Sequence, residues 1–393
     1  MSRIDELVAV LCPDGVEYRK LGEIANIRKG EQLNKNSLLA DGPYPVLNGG
    51  KDYSGYWTEF NSRSGVVAVS QGGASAGFVS WMAVPFWAGA HCYVVEETAS
   101  CEARYLFHVM KSCEIKFMQS QYGAGIPSLS AKSLAGTDVP VPPIEVQREI
   151  VRILDSFTEL EAELEAELEA RKAQHAYYRD RLLSQENLEA IDGKPVEMKR
   201  LGDVARIFDG THQTPKYVSS GIKFVSVENI GNLTASNKFI SEEAFTKEYK
   251  NPPEYGDVLM TRIGSIGSCA VVETDEPLAY YVSLSLIKPN RKLIIPKFLR
   301  HAIEGRDGRR SLYRRTLHTA VPIKINLGDV GKVEIPIPSL ATQQKVVDIL
   351  DRFDALTTSL TDGIPAEIEA RNQQYEYYRD RLLDFPRKEV AAS

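Results

Sequence analysis

The feature that most constrains this chain is that it repeats itself. Tyr177-Tyr178-Arg179-Asp180-Arg181-Leu182-Leu183 returns unchanged as residues 377 to 383, and Glu-Ala-Arg precedes both copies at 169 to 171 and 369 to 371. Upstream, Val139-Pro-Val-Pro, Gln147 and Ile153-Leu154-Asp155-x-Phe157 recur as Ile335-Pro-Ile-Pro, Gln343 and Ile349-Leu350-Asp351-x-Phe353. The first pair of blocks is offset by 200 residues and the second by 196, so four residues have been added between them. Leu21-Gly22-Glu23-Ile24-Ala25 likewise returns as Leu201-Gly202-Asp203-Val204-Ala205. A chain of this kind solves one architecture twice: opening motif, variable body, Pro-rich hinge, helix.

The bodies share an order of elements. Val66 to Ser70 reads as a strand, Gln71 to Gly77 as a Gly-rich loop and Phe78 to Trp81 as a strand; Asp257 to Thr261, Arg262 to Gly267 and Ser268 to Val272 repeat the pattern. Short helices follow near Arg104 to Lys111 and Pro296 to Glu304, and each body returns to its hinge through Ile126-Pro127 or Val321-Pro322. Each body is therefore expected to be a compact α/β domain.

The helix after the first hinge, roughly 144 to 184, starts behind Pro142 and Pro143, where a missing N–H costs nothing. Leu154, Phe157, Leu164, Leu168, Tyr178 and Leu182 sit at heptad positions, interrupted by Glu161, Arg171 and His175. About 40 helical residues make a rod of roughly 60 Å, which cannot fold back on its own body. Its natural partner is its repeat, residues 339 to 384, capped by Ser339 and carrying Leu350, Phe353, Tyr378 and Leu382. Asp362-Gly363-Ile364-Pro365 should break that second rod and absorb the four extra residues. The expected domains are thus 1–140, a helix at 141–185, a second body at 186–335 and a second helix at 336–393.

Glu-Leu-Glu-Ala occurs three times between Glu159 and Ala170. Locally this is a solvated helix of good helix formers. Geometrically, each unit lengthens the rod by ~6 Å and rotates its far end by ~40°.

Composition excludes several classes. At 393 residues with 43% hydrophobic and 25% charged residues, the chain has room for two folded domains and is neither disordered nor fibrous. No apolar run is long enough to span a membrane, and the N-terminus does not read as a secretory signal, so a cytoplasmic location is expected. Five cysteines without a CxxC pair do not suggest a zinc site or a disulfide framework. The net charge of −6 is uneven: Asp155 to Gln185 holds 8 acids and 4 bases, whereas Lys288 to Arg315 holds 10 bases and 2 acids. A basic stretch of that kind is what duplex phosphates attract.

The duplicated openings, Gly210-Thr-His-Gln-Thr-Pro215, Gly256-Asp-Val-Leu, the Pro-Pro-x-x-x-Gln and Pro-Ser-x-x-x-x-Gln hinges and the Tyr-Tyr-Arg-Asp-Arg-Leu-Leu helix ends resemble, over essentially the whole chain, the specificity subunits of type I restriction-modification enzymes. That resemblance implies two α/β target recognition domains in tandem, with their helices pairing antiparallel as a coiled-coil spacer of pseudo-twofold symmetry. It also implies a non-catalytic, cytoplasmic bacterial or archaeal protein that binds double-stranded DNA, two methyltransferase subunits and, in the restricting form, motor and nuclease subunits. S-adenosylmethionine and ATP would reside on those partners, with no cofactor or metal in this chain. Heads of different sequence imply an asymmetric bipartite site whose gap is set by the rods, about one helical turn between half-site centres.

Candidate DNA contacts can be named from chemistry and position. Gln71 and Arg262 stand where a strand enters a Gly-rich loop, with Ser75 further along the first loop; Gln suits adenine edges and Arg suits guanine. The same residues also suit an ordinary capped turn. Arg306, Arg309, Arg310, Arg314 and Arg315 around Tyr313 suit phosphates, and equally a solvated basic face. Thr211, His212 and Gln213 form a third candidate loop, or simply a surface loop. The rival enzymatic reading rests on Asn251-Pro252-Pro253, which looks like the Asn-Pro-Pro-aromatic element of amino-methyltransferases, but Glu254 replaces the ring a flipped base needs. No phosphate loop is present. A protein-only helical scaffold would explain the Glu-rich rod, but neither the two bodies nor the basic stretch.

Overall fold

The computed structural model describes residues 3–120, 127–358 and 363–388. They form two compact units, Met1–Glu165 with Glu367–Ser393, and Ala166–Ala366.

In the first unit a four-stranded antiparallel sheet runs in the order Ala25–Lys29, Cys92–Glu97, Val66–Ser70, Val79–Met82. Val66–Ser70 is buried at every position because its two faces enter different cores. Val67 and Val69 pack with Tyr105, Leu106, Val109 and Met110 of the helix Ala103–Ser112. Val66 and Ala68 pack with Leu47, Phe86 and Ala88, from or beside a small mixed sheet of Gly55–Trp57, Tyr44–Leu47 and Trp87–Ala88. Side chains alternate along a strand, so a strand covered on both faces reads as a continuous apolar run.

The second unit repeats this plan. Its sheet runs Ala205–Asp209, Leu284–Pro289, Val258–Thr261, Cys269–Val271, with a smaller sheet of Phe239–Ile240, Ile222–Val225 and Leu278–Tyr280. Val258 and Met260 join the core beneath the helix Pro296–Glu304, and Leu259 joins the other core. The tandem α/β reading is therefore correct. Gly77 and Gly267 close the equivalent Gly-rich loops at φ +91° each, and a Cβ would meet Met118 N at 2.8 Å in the first and Leu312 Cδ1 at 2.6 Å in the second. Ile126, expected on the return path of the first body, lies outside the described residues.

The hinge glutamines staple each long helix to its own domain. Gln147 accepts from Glu102 N at 2.9 Å and donates to Pro142 O at 2.8 Å and Ser100 O at 3.2 Å. Gln343 does the same with Ile295 N at 2.8 Å, Pro338 O at 2.9 Å and Leu293 O at 2.9 Å. Both are fully buried, so a leucine would strand one N–H and two carbonyls. Gln343→Leu is expected to lower stability in urea unfolding by about 3 kcal/mol, and a loss under about 1 kcal/mol would contradict the staple.

The helix Ile144–Leu182 is continuous over 39 residues, those to Glu165 belonging to the first unit and those from Ala166 to the second. In the second repeat the chain forms two helices, Leu340–Thr358 and Ile364–Leu383. Of the residues expected to break it, Asp362 lies outside the described residues, while Ile364 and Pro365 open the later helix. Along the first rod Leu154 is buried, Phe157, Leu164 and Leu168 are partly buried, and Tyr178 is 38% exposed.

The stripe then moves one position off the heptad. Leu183 and Leu383 enter the cores, whereas Leu182 and Leu382 are only partly buried beside them. Both shifts fall at a helix end: Leu182 is the last helical residue of the first rod and Leu183 follows it in the turn before Gln185–Asp192, while Leu383 is the last residue of its own helix.

The first unit is completed by the far end of the chain. Val16 N donates to Pro386 O at 2.8 Å, Lys388 N to Val16 O at 3.0 Å and the Tyr18 hydroxyl to Phe385 O at 3.0 Å. Phe385 and Leu383 lie in the same core as Leu21 and Leu154.

Candidate nucleic-acid interface

In the second unit three segments converge on Arg262. The residue is 6% exposed; its Nη2 donates to both carboxylate oxygens of Asp209, at 2.6 and 2.8 Å, and its Nη1 donates to Ile325 O at 3.3 Å. Asp209 also holds the exposed His212 ring at 2.9 Å, and Thr211 donates to Gln213 O at 3.2 Å. The Gly-rich loop is tied to the segment before the hinge by Gly264 N to Ile323 O at 2.9 Å and by Ile325 N to Arg262 O at 3.0 Å. Residues 314–324 then present Leu317, His318, Ile323 and a fully exposed Val321, with the His318 ring 4.2 Å from that of Tyr313, itself 68% exposed.

Arg262 is therefore not displayed as a free base reader. Its charge is committed to Asp209, and its work is to fix the loops around it. Asp209 is a residue the sequence reading missed. The signal was available in the repeat, because Asp209 stands where the first copy has Lys29, each at the end of the strand after the opening motif.

The basic run is also redistributed. Lys288 pairs with Asp257 at 2.6 Å and Glu254 at 3.0 Å, and Lys297 with Asp351 at 2.8 Å. Arg300 pairs with Asp354 and Glu304, and Arg306 donates its backbone N–H to Asp180 at 3.0 Å. Arg309 reaches Asp180 at 3.1 Å, while Arg315 bonds Ser311 and approaches Glu334 at 3.9 Å. Ten bases in one stretch of sequence thus do not make one free patch. Arg310 and Arg314 are exposed and, among the described residues, engaged by no ion pair, with Tyr313 between them in sequence. Asn251-Pro252-Pro253 leads into a turn closed by Glu254 N on Asp257 Oδ2 at 2.8 Å.

In the first unit the frame around Gln71 is the same and its chemistry different. Gln71 N donates to His91 O at 2.8 Å and Leu129 N to Gln71 O at 2.8 Å, matching the bonds of Arg262 with Ser283 and Ile325. The Gln71 side-chain oxygen is buried and unbonded among the described residues, and Ser75 is partly buried within the loop. Lys29, in the place of Asp209, is exposed.

Beneath the first head, His108 anchors the helix Ala103–Ser112 to the rods. It is fully buried, with Nε2 at 2.8 Å from Asp155 Oδ1 and Nδ1 at 3.0 Å from the Tyr375 hydroxyl. Asp155, which also accepts from Arg104 at 2.8 Å, accepts from the Nε2–H of His108, leaving Nδ1 to accept from the Tyr375 hydroxyl. Burial pushes the imidazole pKa down against the pull of Asp155. The Asp155 carboxyl, although burial opposes it, is held below its usual range by His108 and Arg104.

The rods add aromatic contacts in each unit. Phe157 stacks on Tyr378 at 5.3 Å in the first, and Phe353 stacks on Tyr178 at 5.6 Å in the second. Tyr177 and Tyr377 are exposed. No described helix is long and apolar enough to cross a membrane.

The family model for the type I restriction modification DNA specificity domain matches this chain twice, at residues 13–170 and 193–370. A putative type I restriction enzyme specificity subunit of Haemophilus influenzae is 31% identical over 94% of this chain and 96% of its own length. A type I restriction enzyme specificity subunit of Escherichia coli is 30% identical over 100% of both chains. Among solved structures, the type I S subunit of M. genitalium aligns with a TM-score of 0.56 at 18% identity, over 94% of this chain and 96% of that one.

Proposed function

Because the chain belongs to the DNA specificity subunits of type I restriction-modification systems, we propose that each of its α/β units reads one half of a bipartite, asymmetric DNA site. The observation that carries this reading is the pair of loop frames with matched backbone bonds but different side chains, Gln71 with Lys29 nearby in one and Arg262 on Asp209 in the other. Two frames of one shape and different chemistry suit two half-sites of different sequence. In the second head Arg262 positions the loops, and Thr211, His212, Gln213, Arg310, Tyr313 and Arg314 touch DNA. The cations meet phosphates and the loop tips meet base edges.

The rods pair antiparallel and set the gap. This is supported in the first unit by Phe157 against Tyr378 and Glu161 beside Asn372, where one chain ascends as the other descends. Methyl transfer and DNA translocation are delegated to partners that bring S-adenosylmethionine and ATP. The two Tyr-Tyr-Arg-Asp-Arg-Leu-Leu copies expose the same residues, Tyr177 and Tyr178 in one and Tyr377 and Tyr378 in the other. Identical surfaces on otherwise divergent units suit two copies of one partner, the methyltransferase.

The test is a map of methylated adenines in the host with and without this gene, repeated after exchanging residues 21–138 for another recognition domain. A bipartite motif that disappears with the gene, and of which the exchange alters one half only, is the expected result. A change in both halves, or no bipartite motif, would overturn the reading.

A further inference from the structure

The junction beneath the second head is built on the same plan as the one beneath the first, with two substitutions that change its chemistry. Tyr105-Leu-Phe-His108 of the first domain helix corresponds to Phe298-Leu-Arg-His301 of the second, so His301 is the counterpart of His108 and Lys297 of Arg104. Asp351 is the counterpart of Asp155 and makes the same bond to the cation, Lys297 Nζ to Oδ2 at 2.8 Å. Where the first junction has Tyr375 and Thr158, however, the second has His175 and Asp354.

These exchanges open the junction. His301 is fully buried, yet among the described residues neither of its ring nitrogens has a partner within hydrogen-bonding distance, and Nε2 stands 3.7 Å from Asp351 Oδ1 where His108 makes a 2.8 Å bond. It is 4.0 Å from Asp354 Oδ2. His175 Nε2 is also buried and unbonded, 3.4 Å from Asp354 Oδ1. A buried imidazole without partners is costly, and the first repeat shows that this position can be satisfied.

We propose that His301, Asp351, Asp354 and His175 form a binding site for one divalent transition-metal ion, Zn2+ by preference. Ligand atoms of the first three lie within 4.8 Å of one another. A tetrahedral Zn2+ with bonds of about 2.0–2.1 Å separates its ligands by roughly 3.4 Å, so gaps too wide for hydrogen bonds are near the edges of such a tetrahedron. Two imidazoles and two carboxylates make the mixed N and O set that Zn2+ accepts. Lys297 and Arg300 bond the Oδ2 atoms of Asp351 and Asp354, as second partners that orient ligating carboxylates whose Oδ1 atoms face the two imidazoles at 3.7 and 3.4 Å. Burial lowers the His175 pKa and favours the neutral form a metal requires. His175, Arg300, Asp351 and Asp354 line a cleft of about 800 Å³ through which an ion could enter.

All four ligands belong to the second unit, on the late part of the first rod, the domain helix Pro296–Glu304 and the helix Leu340–Thr358. Metal would therefore tighten the second head on its helices and leave the first untouched. Full chain stripped by a chelator should take up one Zn2+, unfold at a higher temperature in its presence, and give with Co2+ the visible absorption of a tetrahedral ion.

His175→Tyr with Asp354→Thr installs the side chains that the first repeat packs at these positions. It should abolish uptake while far-ultraviolet circular dichroism stays unchanged. His175→Gln alone, a milder change, should weaken binding by at least ~10-fold. His108→Gln in the first unit should leave the stoichiometry at one. Failure of the stripped wild-type chain to bind Zn2+ or Co2+ would overturn the proposal, as would binding that survives loss of His175 and Asp354. So would stability that follows pH but not metal, since the paired imidazoles would then be a protonation latch.

Discussion

Arg262→Ala is expected to destabilise the second unit by roughly 3 kcal/mol and to erase recognition of one half-site while leaving the other intact. Breaking a buried ion pair leaves a charge without its partner, a loss of about 3–5 kcal/mol in well-buried cases. The lower end applies because Asp209, though paired with an arginine whose side chain is 8% exposed, is itself 23% exposed. The functional loss is larger than the energetic one. The Arg262 side chain ties the end of the strand Ala205–Asp209 to the Gly-rich loop and the segment at Ile325, so its removal releases Asp209 and the His212 loop from the other two, which keep their backbone bonds to each other. Arg262→Lys should fail in the same way, because a single ammonium cannot bond Asp209 and Ile325 O together as the two terminal nitrogens of the guanidinium do. Urea unfolding of the variant, with binding to duplexes altered in one half-site at a time, reads both effects. Full discrimination at both halves by Arg262→Ala would rule out its role as the positioning group.

Deleting one Glu-Leu-Glu-Ala unit between Glu159 and Ala170 is expected to weaken binding to the parental site by at least ~100-fold and to restore it on a site with a shorter gap. The helix is unbroken through this stretch, so four residues fewer shorten it by ~6 Å and rotate one end by ~40°. Neither head is altered. What is lost is their simultaneous engagement, which for linked modules is worth roughly 10²–10⁴ in affinity. Binding selected from duplexes with randomised gaps identifies the new spacing. A changed half-site, or an unchanged gap, would show that the rod is not the ruler.

Elements whose information is local were legible in the sequence. Residues 66–69 are apolar throughout, the Gly-rich loops come directly after this strand and its counterpart, and identical heptapeptides end both rods, so strand, loop and helix could be ordered without knowing their partners. Charge was much less legible. The run from Lys288 to Arg315 looked like a patch because its acids lie elsewhere in the chain: Asp180 lies 129 residues before Arg309, and Asp351 lies 54 residues after Lys297. Ion pairing of that separation leaves no periodic trace. The buried leucine at each rod end was missed for a different reason, since a heptad frame assigned Leu182 and Leu382 while the chain, at the end of each helix, turns Leu183 and Leu383 into the cores.

The hinge glutamines show how a short motif can be visible while its purpose is not. Gln147 and Gln343 were conspicuous as repeated residues, but their bonds to Ser100 and Leu293 reach back across the domain, and only the folded chain brings those carbonyls to them.

The return of Pro386 and Lys388 to Val16 also fixes an order of completion. A ribosome releases the second unit as one uninterrupted stretch, Ala166–Ala366, every residue of which has been made before the last helix emerges. The unit encoded first must wait. Its core lacks Tyr375, Leu383 and Phe385 until the segment after Ala366 is made, so of the two units the one begun first is the second to close. Assembly of the two-headed reader is thereby tied to translation past Ala366: a message cut short just after that codon still specifies the second head whole, and leaves the first without part of its own interior.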